Sequence, residues 1–128
     1  MELLVVVAIV GILSAIAYPS YLSYVQRANR SDATRVLMLY SQAFERCYSQ
    51  NFTYVGCAAV PAATLSPNRY YNVAATNVTA TDYTLTAVPA GPPQNDDTLC
   101  TSFTLQGSAG QSATGAAPNA SQFCWGAN

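Results

Sequence analysis

The sequence contains no histidine and no lysine. Without histidine there is no imidazole base and no imidazole metal ligand. Without lysine there is no Schiff-base nucleophile. Ser-His-Asp and Cys-His catalysis are excluded with them. Charge of either sign is scarce: five arginines face six acids in 128 residues, a net charge of −1, and charged residues make up 9% against about 25% in an ordinary soluble domain. A strongly basic nucleic-acid binder of the usual kind is thereby excluded. The four cysteines form no CxxC pair, so a zinc site has no pattern to rest on. No glycine-rich phosphate loop occurs. Asp96 and Asp97 are adjacent acids in a Pro-rich turn, but calcium takes about six to eight oxygens. No catalytic residue, metal site or cofactor is assigned.

Apolar residues, by contrast, are plentiful at 51% and unevenly placed. Leu3 to Ala17 reads LLVVVAIVGILSAIA, whereas residues 49–128 are rich in Thr, Asn, Ser, Ala, Gly and Pro. The asymmetry describes a hydrophobic anchor on a polar head, residues 1–24 and 25–128. As a helix the fifteen-residue run spans about 22 Å at roughly 1.5 Å per residue. A bilayer core is about 30 Å thick, so the run is slightly short for a simple span. A secretory signal fits poorly, because an acid, Glu2, precedes the run where a signal carries positive charge. A carboxylate there is costly in lipid and calls for a partner, most simply a terminal ammonium group; the dipole at a helix N-terminus also favours it.

Glu2 followed by LLVVVAIVGILSAIAYPSY, with Gly11 inside the run and Pro19 just beyond it, resembles the amino-terminal helix of type IV pilins and pseudopilins. The strongest likeness covers residues 2–30. Family precursors carry a basic leader ending in glycine before the glutamate; here Met1 directly precedes Glu2, so the start lies upstream or those residues have been removed. The resemblance implies an assembly role for Glu2, which pairs with a neighbouring subunit's terminal amine, and methylation of the mature chain. Pro19 removes a helix hydrogen bond and Gly11 weakens the helix by about 0.8–1 kcal/mol relative to Ala. Gly11 to Pro19 thus forms the kinked or flexible segment, which the resemblance implies unwinds in the filament.

Beyond Pro19 the helix is expected to continue to about Gln50. Val36, Tyr40, Phe44 and Cys47 share one face, with Leu37 beside them, and are expected to pack on a sheet. Arg27, Arg30 and Arg35 with Asp32 read as a solvated face with local ion pairs; the functional alternative is contact with phospholipid heads or an acidic neighbour. Asn51 opens a loop containing Pro61 and Pro67. Arg69–Ala75, Asp82–Val88 and Leu99–Gln106 are expected strands of an antiparallel meander, the last with Leu99, Thr101, Phe103 and Leu105 on one face. Pro89 to Asp96 separates the second from the third. Gly107–Asn119 reads as a surface loop, and Gln122–Gly126 as a short final strand with Trp125 capping the core edge. The fold class is α+β: a long N-terminal helix, its hydrophobic half protruding, packed on three to four antiparallel strands.

Four cysteines allow three pairings. Cys47–Cys57 is favoured because it pins the loop to the helix end, and Cys100–Cys124 because it staples the Gly/Ala-rich loop; disulfides of this kind persist after export. The second pair resembles the cysteine-bounded loop of type IV pilins, and the Asp97–Leu105 stretch followed by Cys124-Trp125 is most similar to the minor and competence pilins. The resemblance implies a filament subunit supporting adhesion, twitching motility or DNA uptake, with a minor pilin or a type II secretion pseudopilin as alternatives. It implies partners too: copies of itself and other pilins in a helical filament, the inner membrane before assembly, and the pilus assembly machinery. Its location is the inner membrane and then the extracellular pilus. DNA is a possible partner that head charge does not support, since Arg69 is the only cation beyond Gln50; Tyr70 and Tyr71 could stack on bases but are expected in the core.

Overall fold

A computed structural model describes residues 1–57 and 63–126. Pro61, read as loop, lies outside the described residues. Helix α1 runs from Glu2 to Asn51 without a break, through both Gly11 and Pro19. It stops at Phe52, which takes a left-handed conformation (φ 55°) and donates its N–H to the carbonyl of Tyr48 at 2.7 Å. Five strands follow: β1 (Thr64–Leu65), β2 (Tyr71–Thr76), β3 (Thr84–Pro89), β4 (Ser102–Gln106) and β5 (Gly110–Thr114). They pair antiparallel in sequence order as one meander. A 3₁₀ turn, Gln94–Asp96, interrupts the β3–β4 connection, and helix α2 (Ala120–Cys124) closes the chain.

Alternation builds the core. Val73 stands opposite Ala87, and Ala87 opposite Phe103; Leu85 stands opposite Leu105. All five are buried. Onto this face α1 lays Ala33, Val36, Leu37 and Phe44, which recur at helical spacing. The aromatic residues concentrate at the far end of the helix. Phe44 stacks on Tyr83 with centroids 4.7 Å apart, and Tyr54 meets the same ring edge-on at 4.9 Å. Trp125 packs edge-on against Phe103 and donates its indole N–H to Ser112 O at 2.7 Å.

Three expectations need correction. The stretch expected as a loop contains β5, whose pairing with β4 runs from Gly110↔Gln106 to Thr114↔Ser102; it is polar because its outer face and edge meet water. Gln122 to Cys124, expected as strand, lie in α2. The strand expected from Leu99 begins only at Ser102, because the Asp97 carboxylate takes the N–H groups of Leu99 and Cys100. The chain turns there, burying Cys100 and exposing Leu99. Disulfides join Cys47 to Cys57 and Cys100 to Cys124, with Cα separations of 6.0 and 5.8 Å. The second ties α2 to the start of β4. Gly115 sits beneath this closure: at φ 152° a Cβ would lie 1.9 Å from Leu99 O, so the crossing has no room for a side chain.

Candidate functional site

The molecule offers two surfaces to partners, the free half of α1 and the head that the rest of the helix carries. Along the free half, Leu3, Val7, Ile12 and Ile16 are each more than half exposed. An 18-residue window there has a mean hydropathy of 2.3 and none of it is buried. Nothing lies within 4 Å of a Cβ built on Gly11, so this glycine is not required by packing in the single subunit. Glu2 sits in the first helical turn, at the positive end of the helix dipole. The structure therefore leaves Glu2, Gly11 and Pro19 on one exposed apolar segment, apart from the cysteines of the head.

The head takes hold of α1 at Gln26. Its amide donates to Pro93 O at 3.0 Å, and Asn29 donates to Gln94 Oε1 at 3.2 Å. Gln94, fully buried, returns its own amide to Gln26 O and to the Tyr71 hydroxyl at 2.7 Å. One turn on, Arg30 forms a two-pronged ion pair with Asp97, Nε to Oδ2 at 2.7 Å and Nη2 to Oδ1 at 2.8 Å. Both residues are buried. The guanidinium also lies 5.2 Å from the centroid of the Phe123 ring, which brings α2 into the same contact. Asp32, next on the helix, accepts from the Ser66 hydroxyl and the Asn68 N–H. The expected solvated cluster is thus divided. Arg27 and Arg35 face solvent, while Arg30 and Asp32 are core groups whose partners lie 67 and 34 residues away. Asp97 is equally committed: Oδ2 accepts from Arg30 Nε, and Oδ1 accepts from Arg30 Nη2 and from the N–H groups of Leu99 and Cys100. Gln26, Asn29, Ser66 and Gln94 carried no sequence signal for this role, being ordinary polar residues in a chain full of them.

The cations left on the head surface are Arg27, Arg35, Arg46 and Arg69 among the described residues. Arg69 lies in the β1–β2 turn with φ 64°. Tyr71 is buried, whereas Tyr70 is half-buried beside the core. Arg27, Ser31 and Thr34 line a cleft of about 130 Å³ with Phe123 and Trp125. At the opposite end of the head, carboxylates meet the hydroxyls of the aromatic cluster and the neighbouring turns. Glu45 accepts from the hydroxyls of Tyr54 (3.0 Å) and Tyr83 (3.1 Å). Burial, reinforced by Glu45, pushes the Tyr54 phenol up to about 12. Burial pushes Tyr71 to about 12 as well, opposed by its bond with Gln94. Tyr83 is raised by burial, opposed by Ser41. Asp82 is lowered, chiefly by the Ser108 hydroxyl at 2.7 Å, against some desolvation; the N–H groups of Tyr83 and Ser108 add to the lowering. Asp82 thereby ties the β2–β3 connection to the β4–β5 turn.

A 50-residue helix with a bare apolar half, an antiparallel meander laid on the other half, and a carboxy-terminal disulfide closure define a pilin-type subunit. The chain matches the family model described as type IV minor pilin ComP, DNA uptake sequence receptor, over residues 19–104, and it belongs to that family. No curated protein matches the chain. The match begins at Pro19, so the apolar run lies outside it and the assignment rests on the helix–head junction and on β1 to the start of β4. It narrows the broader filament-subunit expectation to its minor-pilin alternative.

Proposed function

We propose that this chain is a minor subunit of a type IV pilus acting in DNA uptake. Residues 1–24 hold it in the inner membrane before assembly, and residues 25–128 form the head displayed on the extracellular filament. The observation that carries this reading is the family match over residues 19–104, which takes in the helix–head junction and most of the sheet. In assembly, Glu2 pairs with the terminal amine of an adjacent pilin, and Gly11 to Pro19 loosens as the helices bundle. Glu2→Ala should lower the amount of this chain in sheared pili while Trp125 fluorescence reports an intact head; normal incorporation removes that role for Glu2.

The head would meet DNA with little charge. At most four exposed arginines are available to phosphates. Binding by one subunit should therefore weaken with salt at a log–log slope no steeper than about −3.6, taking roughly 0.9 per phosphate neutralised. The test is natural transformation in a deletion strain complemented with this chain or with Arg69→Ala, alongside filament counts. Loss of transformation on deletion, with pili still present, supports the reading. Unchanged transformation in the deletion strain refutes it.

A further inference from the structure

The nine tyrosines fall into two groups. Tyr40, Tyr48, Tyr54, Tyr70, Tyr71 and Tyr83 are buried or half-buried in the head. Tyr18, Tyr21 and Tyr24 are 66%, 66% and 72% exposed on α1. All three lie within seven residues of each other, directly after the aliphatic run and before Gln26, where the head first hydrogen-bonds the helix. Ser20 and Ser23 stand among them, and Ser23 returns its hydroxyl to the Ser20 carbonyl at 2.8 Å, so that its polarity is met within the helix. Arg27, exposed, is the first basic side chain along the sequence.

Distances along the helix give this arrangement a meaning. At roughly 1.5 Å per residue, Tyr18 lies about 24 Å from Glu2, Tyr21 about 28 Å, Tyr24 about 33 Å and Arg27 about 37 Å. The hydrocarbon core of a bilayer is about 30 Å thick, and the head-group layer adds roughly 5–7 Å on each side. Tyrosine favours that boundary because its ring is apolar and its hydroxyl is not. Arginine just beyond it meets anionic lipid heads. The aliphatic run, too short to span by itself, reaches the boundary once the tyrosines are counted.

We infer that Tyr18, Tyr21 and Tyr24, with Arg27 behind them, form an interfacial belt that seats the unassembled subunit at one depth in a phospholipid bilayer. The rings lie at the head-side boundary, and Glu2 lies near the opposite boundary instead of mid-membrane. This rests on the membrane-anchor reading above and adds to it a device that sets depth. The belt continues the apolar segment, and its charge complements anionic lipid, which is why lipid is named as its occupant over a second protein.

The test uses the full chain in vesicles of phosphatidylethanolamine and phosphatidylglycerol, with bromine quenchers placed shallow or deep in the acyl chains. Trp125, on the head, supplies the background. A Tyr21→Trp reporter should be quenched more by shallow bromines, and a Val10→Trp reporter more by deep ones. Changing Tyr18, Tyr21 and Tyr24 together to leucine extends the apolar run to Val25. The helix should then re-centre, moving the Val10→Trp reporter off the midplane by about 4 Å, or roughly two and a half residues of rise. No change in reporter depth on that substitution overturns the belt and leaves the rings to contacts between pilins. So does a Tyr21→Trp reporter quenched best by deep bromines. If Val10→Trp is not quenched at either depth, the helix does not enter the bilayer and the anchor reading itself fails.

Discussion

Breaking the buried pair between Arg30 and Asp97 should have the largest effect of any single charge change in the head. Arg30→Met leaves a buried carboxylate with only two backbone N–H groups; Asp97→Asn keeps those bonds through its amide oxygen and leaves a buried guanidinium. Removing one partner of a buried, hydrogen-bonded ion pair costs about 3–5 kcal/mol. For a head of about a hundred residues, each kcal/mol moves Tm by about 4 °C or more, so either variant should melt at least about 12 °C lower. The double variant removes both charges and should recover about 2 kcal/mol relative to the sum of the singles, since neighbours in one network are not additive. The Arg30 guanidinium also lies over the Phe123 ring, so the loss should appear in the environment of the adjacent Trp125. The assay is thermal unfolding of the detergent-solubilised full chain followed by Trp125 fluorescence. Singles that each cost under about 1 kcal/mol, or a double that is strictly additive, would place this pair with exposed ion pairs and refute the reasoning.

Other outcomes follow from the same geometry. Replacing Cys100 and Cys124 by serine should destabilise the head by about 3 kcal/mol on the chain-entropy account, read as a shift in denaturation midpoint against the intact chain. Asp82 has its pKa lowered in the fold, so its contribution is full above the ordinary value of 3.8 and fades as pH falls through the lower folded value; Asp82→Asn should flatten that acid limb in a Tm–pH series. Tyr54 and Tyr71 are raised to about 12 from 10.0, so the fold loses stability as pH rises from 10 towards 12, and absorbance titration should show two phenols ionising late or only on unfolding.

Much of the architecture was legible because it rests on local patterns. The aliphatic run, the helical stripe from Val36 to Phe44 and the alternation Tyr83–Leu85–Ala87 each signal burial within a few residues. The second edge of the sheet was not legible. Gly110 to Thr114 offers only Ala113 to the core and otherwise reads as a polar loop; its pairing is decided by β4 beside it. Aromatic content made the Phe123–Trp125 stretch look extended, but α2 is held by the disulfide and by packing on Phe103, which local propensity does not report. The junction was the least legible part. Arg30 was visible only as one member of a cluster with Arg27, Arg35 and Asp32, and Asp97 only as one of two adjacent acids in a turn. Only the folded chain brings them together across 67 positions.

The unbroken passage of α1 from bare segment to head has a mechanical consequence. No linker separates the two, so tension along a filament would enter the head through backbone hydrogen bonds of one helix and meet its first polar contacts at Gln26, Asn29, Arg30 and Asp32. Those four residues span less than two turns, and their partners lie on the β3–β4 connection and on the Ser66–Asn68 turn, not on the central strands. Behind this seam the helix bears on the sheet itself, where Val36, Leu37 and Phe44 share one core with the strands and Ser41 meets the Tyr83 hydroxyl at 2.8 Å. A pull along the helix thus meets a short polar seam first and the packed apolar face of the same helix behind it, two kinds of contact loaded in series by one continuous rod.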